Sequence, residues 1–176
     1  WTRTGDEPEE IVMKRGHSTW NGGKFYVDGS GGKWTSDKRL RRCGWAAVQL
    51  DETTQEQTRS IQAISGTLAG WRQTVPRAEL KAIVELLKAN KECTRHIEIL
   101  TDCMYVFKGA NGISKNLIAK ENGDLWQQYA DMIQEMKARG IDVIVKKVKA
   151  HATVADIYLG NITFIDARGN MLADAY

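Results

Sequence analysis

The chain has 176 residues, 42% hydrophobic and 27% charged, with a formal net charge of +3. That is enough for one core in one domain of ordinary globular composition. No window approaches roughly 18 uncharged apolar residues, which excludes a membrane-spanning helix, and the amino end has no apolar run of the kind a secretory signal carries.

Residues 1–22 hold Asp6, Pro8, Glu9 and Glu10 with little periodicity. They are expected to form a leader or linker, ordered only if it packs on a domain spanning 23–176. KFYVDG, from Lys24, reads as a first strand: Phe25, Tyr26 and Val27 favour a pleated surface, and Gly29, Gly31 and Gly32 punctuate it. CGWAAVQL (43–50) and TRSIQAISGT (58–67) read as two more strands. The links SGGKWTSDKRLRR and DETTQEQ are hairpin-like, so the three strands should be antiparallel neighbours. The period then changes. In TVPRAELKAIVELLKAN, Leu80, Ile83, Val84 and Leu87 form one stripe at helical spacing, with Thr74 placed to cap and Pro76 in the first turn. HIEILTD (96–102) is a fourth strand and CMYVFKGANG a short helix. GDLWQQYADMIQEMKARG is a longer helix, with Leu125, Tyr129, Met132 and Met136 in register and Gly140 ending it. IDVIVKKVKA (141–150) is a fifth strand, and ARGNMLADAY begins a last helix.

This order predicts an α/β fold: a mixed five-stranded sheet, three antiparallel strands and then two parallel to the first, flanked by helices. Such sheets carry their functional groups at the carboxyl ends of parallel strands. Asp28 ends the first strand and Asp102 the fourth, so both emerge at one edge. Glu79 borders the apolar stripe of the long helix, and Asp174 lies in the last helix, which must pack back across that edge. Carboxylates gathered this closely repel one another unless a cation intervenes. Oxygen-only ligation selects Mg²⁺ or Mn²⁺ over zinc, and two such ions about 4 Å apart suit phosphodiester hydrolysis.

Three cysteines (Cys43, Cys93, Cys103) without a CxxC, and three histidines without ligand spacing, argue against a zinc site. Reduced thiols in an intracellular compartment are expected. Two basic clusters, Lys38, Arg39, Arg41 and Arg42, then Lys146, Lys147 and Lys149, can attract a polyanion or serve as solvated faces.

YVDGSG, TVPRAEL, ILTDCMY, GDLW, VKAH and GNMLAD follow one another in that order, each on its predicted element. From about Lys24 to the carboxyl end the chain resembles the type 1 ribonuclease H family. The resemblance implies a metal-dependent endonuclease that hydrolyses the RNA strand of RNA–DNA hybrids and leaves 5′-phosphate and 3′-hydroxyl ends. It implies two Mg²⁺ ions, with Mn²⁺ able to substitute. Asp28 would bridge both, Glu79 and Asp102 would ligate the ion beside the leaving oxygen, and Asp174 the ion carrying the attacking water. His151 matches a mobile-loop histidine that aids proton transfer or product release, with a surface histidine of no role as the alternative. The loop after it departs from the usual pattern, since His151 and Asp174 are 23 positions apart (174 − 151). This insertion offers Asp156 and Asp166 as other acids, and Asp174 is preferred because GN-x-x-AD fits the family motif.

The resemblance further assigns 2′-hydroxyl recognition to Gly29, Ser30, Glu79, Cys103 and Met104. Cys103 replaces the more usual serine, and Pro76 stands where asparagine is common. Thr74 and Asn122 match a phosphate pocket for the DNA strand. Trp126 matches a tryptophan packed on a DNA sugar, with core packing in its helix as the alternative. The partners implied are the hybrid duplex, no membrane, and a monomer as an isolated domain. A retroelement polyprotein with a covalently linked reverse transcriptase and a free-standing enzyme both remain open as parents. Among nucleases of related fold, a proofreading exonuclease would carry an acid where this chain has Ser30.

Overall fold

Side-chain alternation along the strands decides what this sheet buries. A computed structural model describes residues 7–16, 20–32, 36–37, 40–50, 60–112, 115–150 and 153–175. Its sheet holds β1 (Val12–Arg15), β2 (Gly23–Ser30), β3 (Gly44–Leu50), β4 (Ser60–Thr67), β5 (Ile97–Thr101) and β6 (Val143–Lys147), in the order β1-β4-β3-β2-β5-β6. β2, β3 and β4 pair antiparallel, whereas β5 and β6 run parallel to β2, as the connection lengths predict. Phe25 and Val27 of β2 join one apolar cluster with Trp45, Ile64, Ile97, Ile99 and Val145, while Tyr26 joins a second with Val48, Leu50, Ala63, Leu100 and Val148.

The sheet has six strands rather than five. The extra one is β1, from the segment read as a leader, and it pairs antiparallel with β4, Val12 opposite Gly66 and Arg15 opposite Ala63. All four of its residues are exposed, so no buried stripe marks it in the sequence. Its hold is polar. Thr67 Oγ1 accepts from the Ile11 amide at 2.8 Å and donates to the Glu9 carbonyl at 2.9 Å, and Glu10 pairs with Lys81 at 3.0 Å.

Helix α1 (Val75–Ala89) covers the first face. Thr74 caps it by accepting from the Arg77 amide, Pro76 lies in its first turn, and Leu80, Ile83, Val84 and Leu87 are fully buried. The stripe read from the sequence is the one that packs. α2 (Met104–Ala110), the short α3 (Lys115–Ile118) and α4 (Gly123–Ala138) follow on the same side. The second face receives α6 (Phe164–Ala175), preceded by α5 (Val154–Tyr158) within the insertion. α6 starts before the Ala167 that the sequence suggested, because Thr163 Oγ1 accepts from the Asp166 amide. Gly169 lets this helix settle on the sheet: a Cβ there would overlap the Tyr26 ring.

Candidate active site

Strand register brings the first two carboxylates together. Val27 pairs with Thr101 in the parallel β2–β5 ladder, so Asp28 and Asp102 are the next residues of each chain at the same edge. β2 itself runs two residues past Asp28, to Ser30, on its antiparallel partner β3. Glu79 enters from α1, which crosses Gly29 so closely that a Cβ there would stand 2.7 Å from the Glu79 amide nitrogen. Only glycine fits that crossing. Among the described residues, Asp28, Glu79 and Asp102 each offer an oxygen within 4.8 Å of the others. Asp174, exposed on α6, lies outside this trio but within hydrogen-bond reach of Asp28. Asp28 is therefore the central member, touching Asp174 on one side and Glu79 on the other.

The electrostatics follow from burial and like charge. Burial pushes the Asp28 carboxyl up to about 8, helped by its hydrogen bond to Asp174 and the charges of Asp102 and Asp174. Burial likewise drives Glu79, only 1% exposed, well above the ordinary carboxylate range, with Asp28 and Asp102 adding to the effect. Opposing them, the Thr101 hydroxyl donates to Glu79 Oε1 at 2.9 Å and the Gly29 amide to Asp28 Oδ1 at 3.0 Å. A compact all-oxygen donor set that resists ionising on its own is the kind a hard divalent cation satisfies. The residues fit such an ion.

The rival acids of the insertion are engaged elsewhere. Asp166 accepts from the Tyr26 hydroxyl at 2.7 Å and pairs with Lys24 at 2.7 Å. Burial raises its pKa, but these partners outweigh burial and hold the carboxyl below its usual range. Asp156 closes a capping box with Thr153 and pairs with Lys149. His151, together with Lys38 and Arg39 of the first basic cluster, lies outside the described residues.

The remaining site candidates fall into three groups. Gly29 and Ser30 line a cleft with Asp28 and Asp174, while Cys103 and Met104 open α2 directly after Asp102, Met104 being 49% exposed. Burial raises the Cys103 thiol above its ordinary pKa, so it stays protonated at neutral pH. Thr74 and Asn122 share a second cavity with Lys120. Asn122 adopts a left-handed conformation (φ 66°) before α4, and its side chain accepts from Arg77 at 3.2 Å. Trp126 requires a correction. It is 0% exposed, edge-on to Tyr129, and its Nε1 donates to the Tyr105 hydroxyl at 2.9 Å, so it belongs to the core and does not face a DNA sugar. Helical spacing puts Trp126 beside Leu125 and Tyr129 on α4, and Tyr105 of α2 closes over it.

Three residues escaped the sequence reading. Thr101 orients Glu79, Tyr105 ties Asn122 to Trp126, and Arg77 grips Asp124 through a two-pronged pair at 2.9 and 2.7 Å. Each lies within three residues of Asp102 or Glu79, in ILTDCMY or TVPRAEL.

A mixed sheet with clustered carboxylates at the ends of its adjacent parallel strands defines a nuclease of ribonuclease H architecture. The family model described as RNase H matches residues 21–176. A ribonuclease H of Caldicellulosiruptor saccharolyticus is 29% identical over 126 residues, which is 62% of this chain and 74% of that protein. The RNase H domain of prototype foamy virus, solved in solution, superposes with a TM-score of 0.60 at 20% identity, covering 86% of this chain and 89% of that domain. The foamy viral protease–reverse transcriptase in complex with an RNA/DNA hybrid superposes with a TM-score of 0.64 at 17% identity over 99% of this chain. This chain spans 21% of the length of that larger protein. The chain belongs to the RNase H family and is a ribonuclease H enzyme.

Proposed function

We propose that the protein is a metal-dependent endonuclease that hydrolyses the RNA strand of RNA–DNA hybrids, leaving 5′-phosphate and 3′-hydroxyl ends. The observation that carries this reading is the convergence of Asp28, Glu79 and Asp102 within 4.8 Å at one sheet edge. The foamy-virus relative bound to an RNA/DNA hybrid supports the substrate class. Asp28, Glu79, Asp102 and Asp174 would hold two Mg²⁺ ions, or Mn²⁺ in their place. Bound there, such ions supply water activation and charge neutralisation at the departing oxygen.

The chain's own residues do the positioning. Thr101 fixes the rotamer of Glu79, and the Gly29 amide holds one oxygen of Asp28. Gly29, Ser30, Glu79, Cys103 and Met104 would read RNA 2′-hydroxyls in a shallow groove. Thr74, Asn122 and Lys120 line the cavity that would take a phosphate of the DNA strand. His151 would move a proton or release product. The domain acts inside the cell as a monomer, and the foamy-virus match favours a parent polyprotein that also carries a reverse transcriptase.

The test is hydrolysis of labelled RNA–DNA, RNA–RNA and DNA–DNA duplexes with Mg²⁺ and with EDTA, for the wild type and Asp28→Asn. Mg²⁺-dependent cleavage of RNA in the hybrid alone, lost in Asp28→Asn, is expected. Equal activity of the two proteins, or cleavage of DNA only, overturns the reading.

A further inference from the structure

A cavity of about 490 Å³ opens beside the N-terminal turn of α1, within the size range of sites that hold a nucleotide-sized group. Its lining includes Trp71, Arg72, Arg77 and Lys120. Arg77 is spent on Asp124, but Arg72 and Lys120 have no ion pair among the described residues. The Nε of Arg77 is also buried without a hydrogen-bond partner there. Trp71 is partly exposed, and the Arg42 guanidinium lies 5.9 Å from its ring centroid, which draws a further cation to the rim. A partly exposed tryptophan set among cations is the combination that holds single-stranded nucleic acid: cations follow the backbone and the ring stacks a base.

The cavity's position decides which strand could reach it. Arg77 and Glu79 are two residues apart on α1, about 200° around the helix axis. The carboxylates and this cavity thus flank the same helical turn on opposite sides. Lys120 also lines the Thr74–Asn122 cavity, so the two hollows lie side by side. A duplex with its RNA strand at the carboxylates would lay its other strand along these hollows. Inside a duplex, however, both faces of every base are covered by neighbouring bases. Trp71 could stack only a base that has left the duplex.

We propose that Trp71, with Arg42, Arg72 and Lys120, forms a stacking site for an unpaired base of the DNA strand, so that the enzyme favours hybrids with a single-stranded DNA extension. This inference rests on the hybrid-cleaving function proposed above. None of the four residues is needed to gather the carboxylates, so the site is separate from the chemistry.

The experiment has two arms. In the first, KM and kcat are measured with Mg²⁺ on blunt hybrids and on hybrids carrying a 5′ or 3′ oligo-dT extension, for wild type, Trp71→Ala and Trp71→Phe. One extension polarity should lower the wild-type KM on the order of tenfold. That advantage should vanish in Trp71→Ala and persist in Trp71→Phe. An equal KM for blunt and extended hybrids in the wild type, or an undiminished advantage in Trp71→Ala, overturns the proposal. In the second arm, fluorescence anisotropy of labelled oligo-dT is followed without metal. Binding should weaken on the order of tenfold in Trp71→Ala and survive in Trp71→Phe, and equal binding by wild type and Trp71→Ala again overturns the site. Tryptophan-dependent oligo-dT binding by a protein that cleaves no hybrid would sink the proposed function while leaving the stacking site in place.

Discussion

Gly29 and Glu79 touch backbone to backbone: a Cβ on Gly29 would lie 2.7 Å from the Glu79 amide nitrogen and 3.1 Å from its carboxylate Oε2. The strand that carries Asp28 and the helix that carries Glu79 approach this closely because one side chain is missing. Gly29→Ala should therefore push α1 outward, destabilising the fold by about 1–3 kcal/mol. A shift of about 1 Å in Glu79 should cost on the order of 100-fold in hydrolysis. Thermal melting and hybrid cleavage measured on the same variant check both figures, and unchanged activity would contradict the crossing.

Thr101 holds Glu79 with a single hydroxyl at 2.9 Å and also accepts from the Cys103 amide at 3.1 Å. A hydrogen bond to a carboxylate contributes about 1.5–3 kcal/mol, so Thr101→Val should lower kcat by about tenfold or more. Thr101→Ser keeps the hydroxyl and should stay close to wild type. Steady-state kinetics on the pair separates the hydrogen bond from the packing of the methyl group.

The two acids of α6 should behave oppositely. Asp166 is taken up by Lys24 and Tyr26, so Asp166→Asn should cost roughly 0.5–1 kcal/mol of stability and leave cleavage near wild type. Asp174 meets Asp28, so Asp174→Asn should lower hydrolysis on the order of 100-fold. Its melting temperature should change little, because the asparagine amide can keep a hydrogen bond to Asp28 while removing one negative charge from the cluster. A reversed pattern of activities would reassign the fourth carboxylate.

Gly169 lies on the side of α6 that meets the Tyr26 ring, and a methyl group there would overlap that ring. Gly169→Ala should lift the helix that carries Asp174. Destabilisation of about 1–3 kcal/mol is expected in denaturant titration, together with reduced hydrolysis.

Arg77 hydrogen bonds hold the Asp124 carboxyl at about 2, below its ordinary 3.8. A depressed carboxyl stabilises the fold fully above the unfolded pKa and loses that contribution as pH falls through the folded one. The stability gap between wild type and Asp124→Asn should thus be constant at neutral pH and close between about pH 4 and pH 2. Asp124 is half-exposed, so the gap should be small, about 1 kcal/mol or less. Urea titrations of both proteins across that window measure it.

Much of this protein is written locally. The apolar stripe of α1, the Thr74 cap, and the alternation that buries Phe25, Tyr26 and Val27 all follow from periods of two and 3.6 residues that any single stretch displays. The convergence of Asp28 and Asp102 was legible too, because connection length sets strand direction and direction places both at one edge. Other features depended on contacts between distant segments. β1 exists because β4 presents an open edge and Thr67 grips Ile11, neither of which marks residues 12–15 themselves. Trp126 is core because Tyr105 and Tyr129 surround it, a fact no motif match carries. Asp166 and Asp174 share one helix and one residue type, and they part only in space, where Lys24 faces one and Asp28 the other. Chain-local periodicity reports which side of an element is buried, whereas the partner a polar group meets depends on long-range packing.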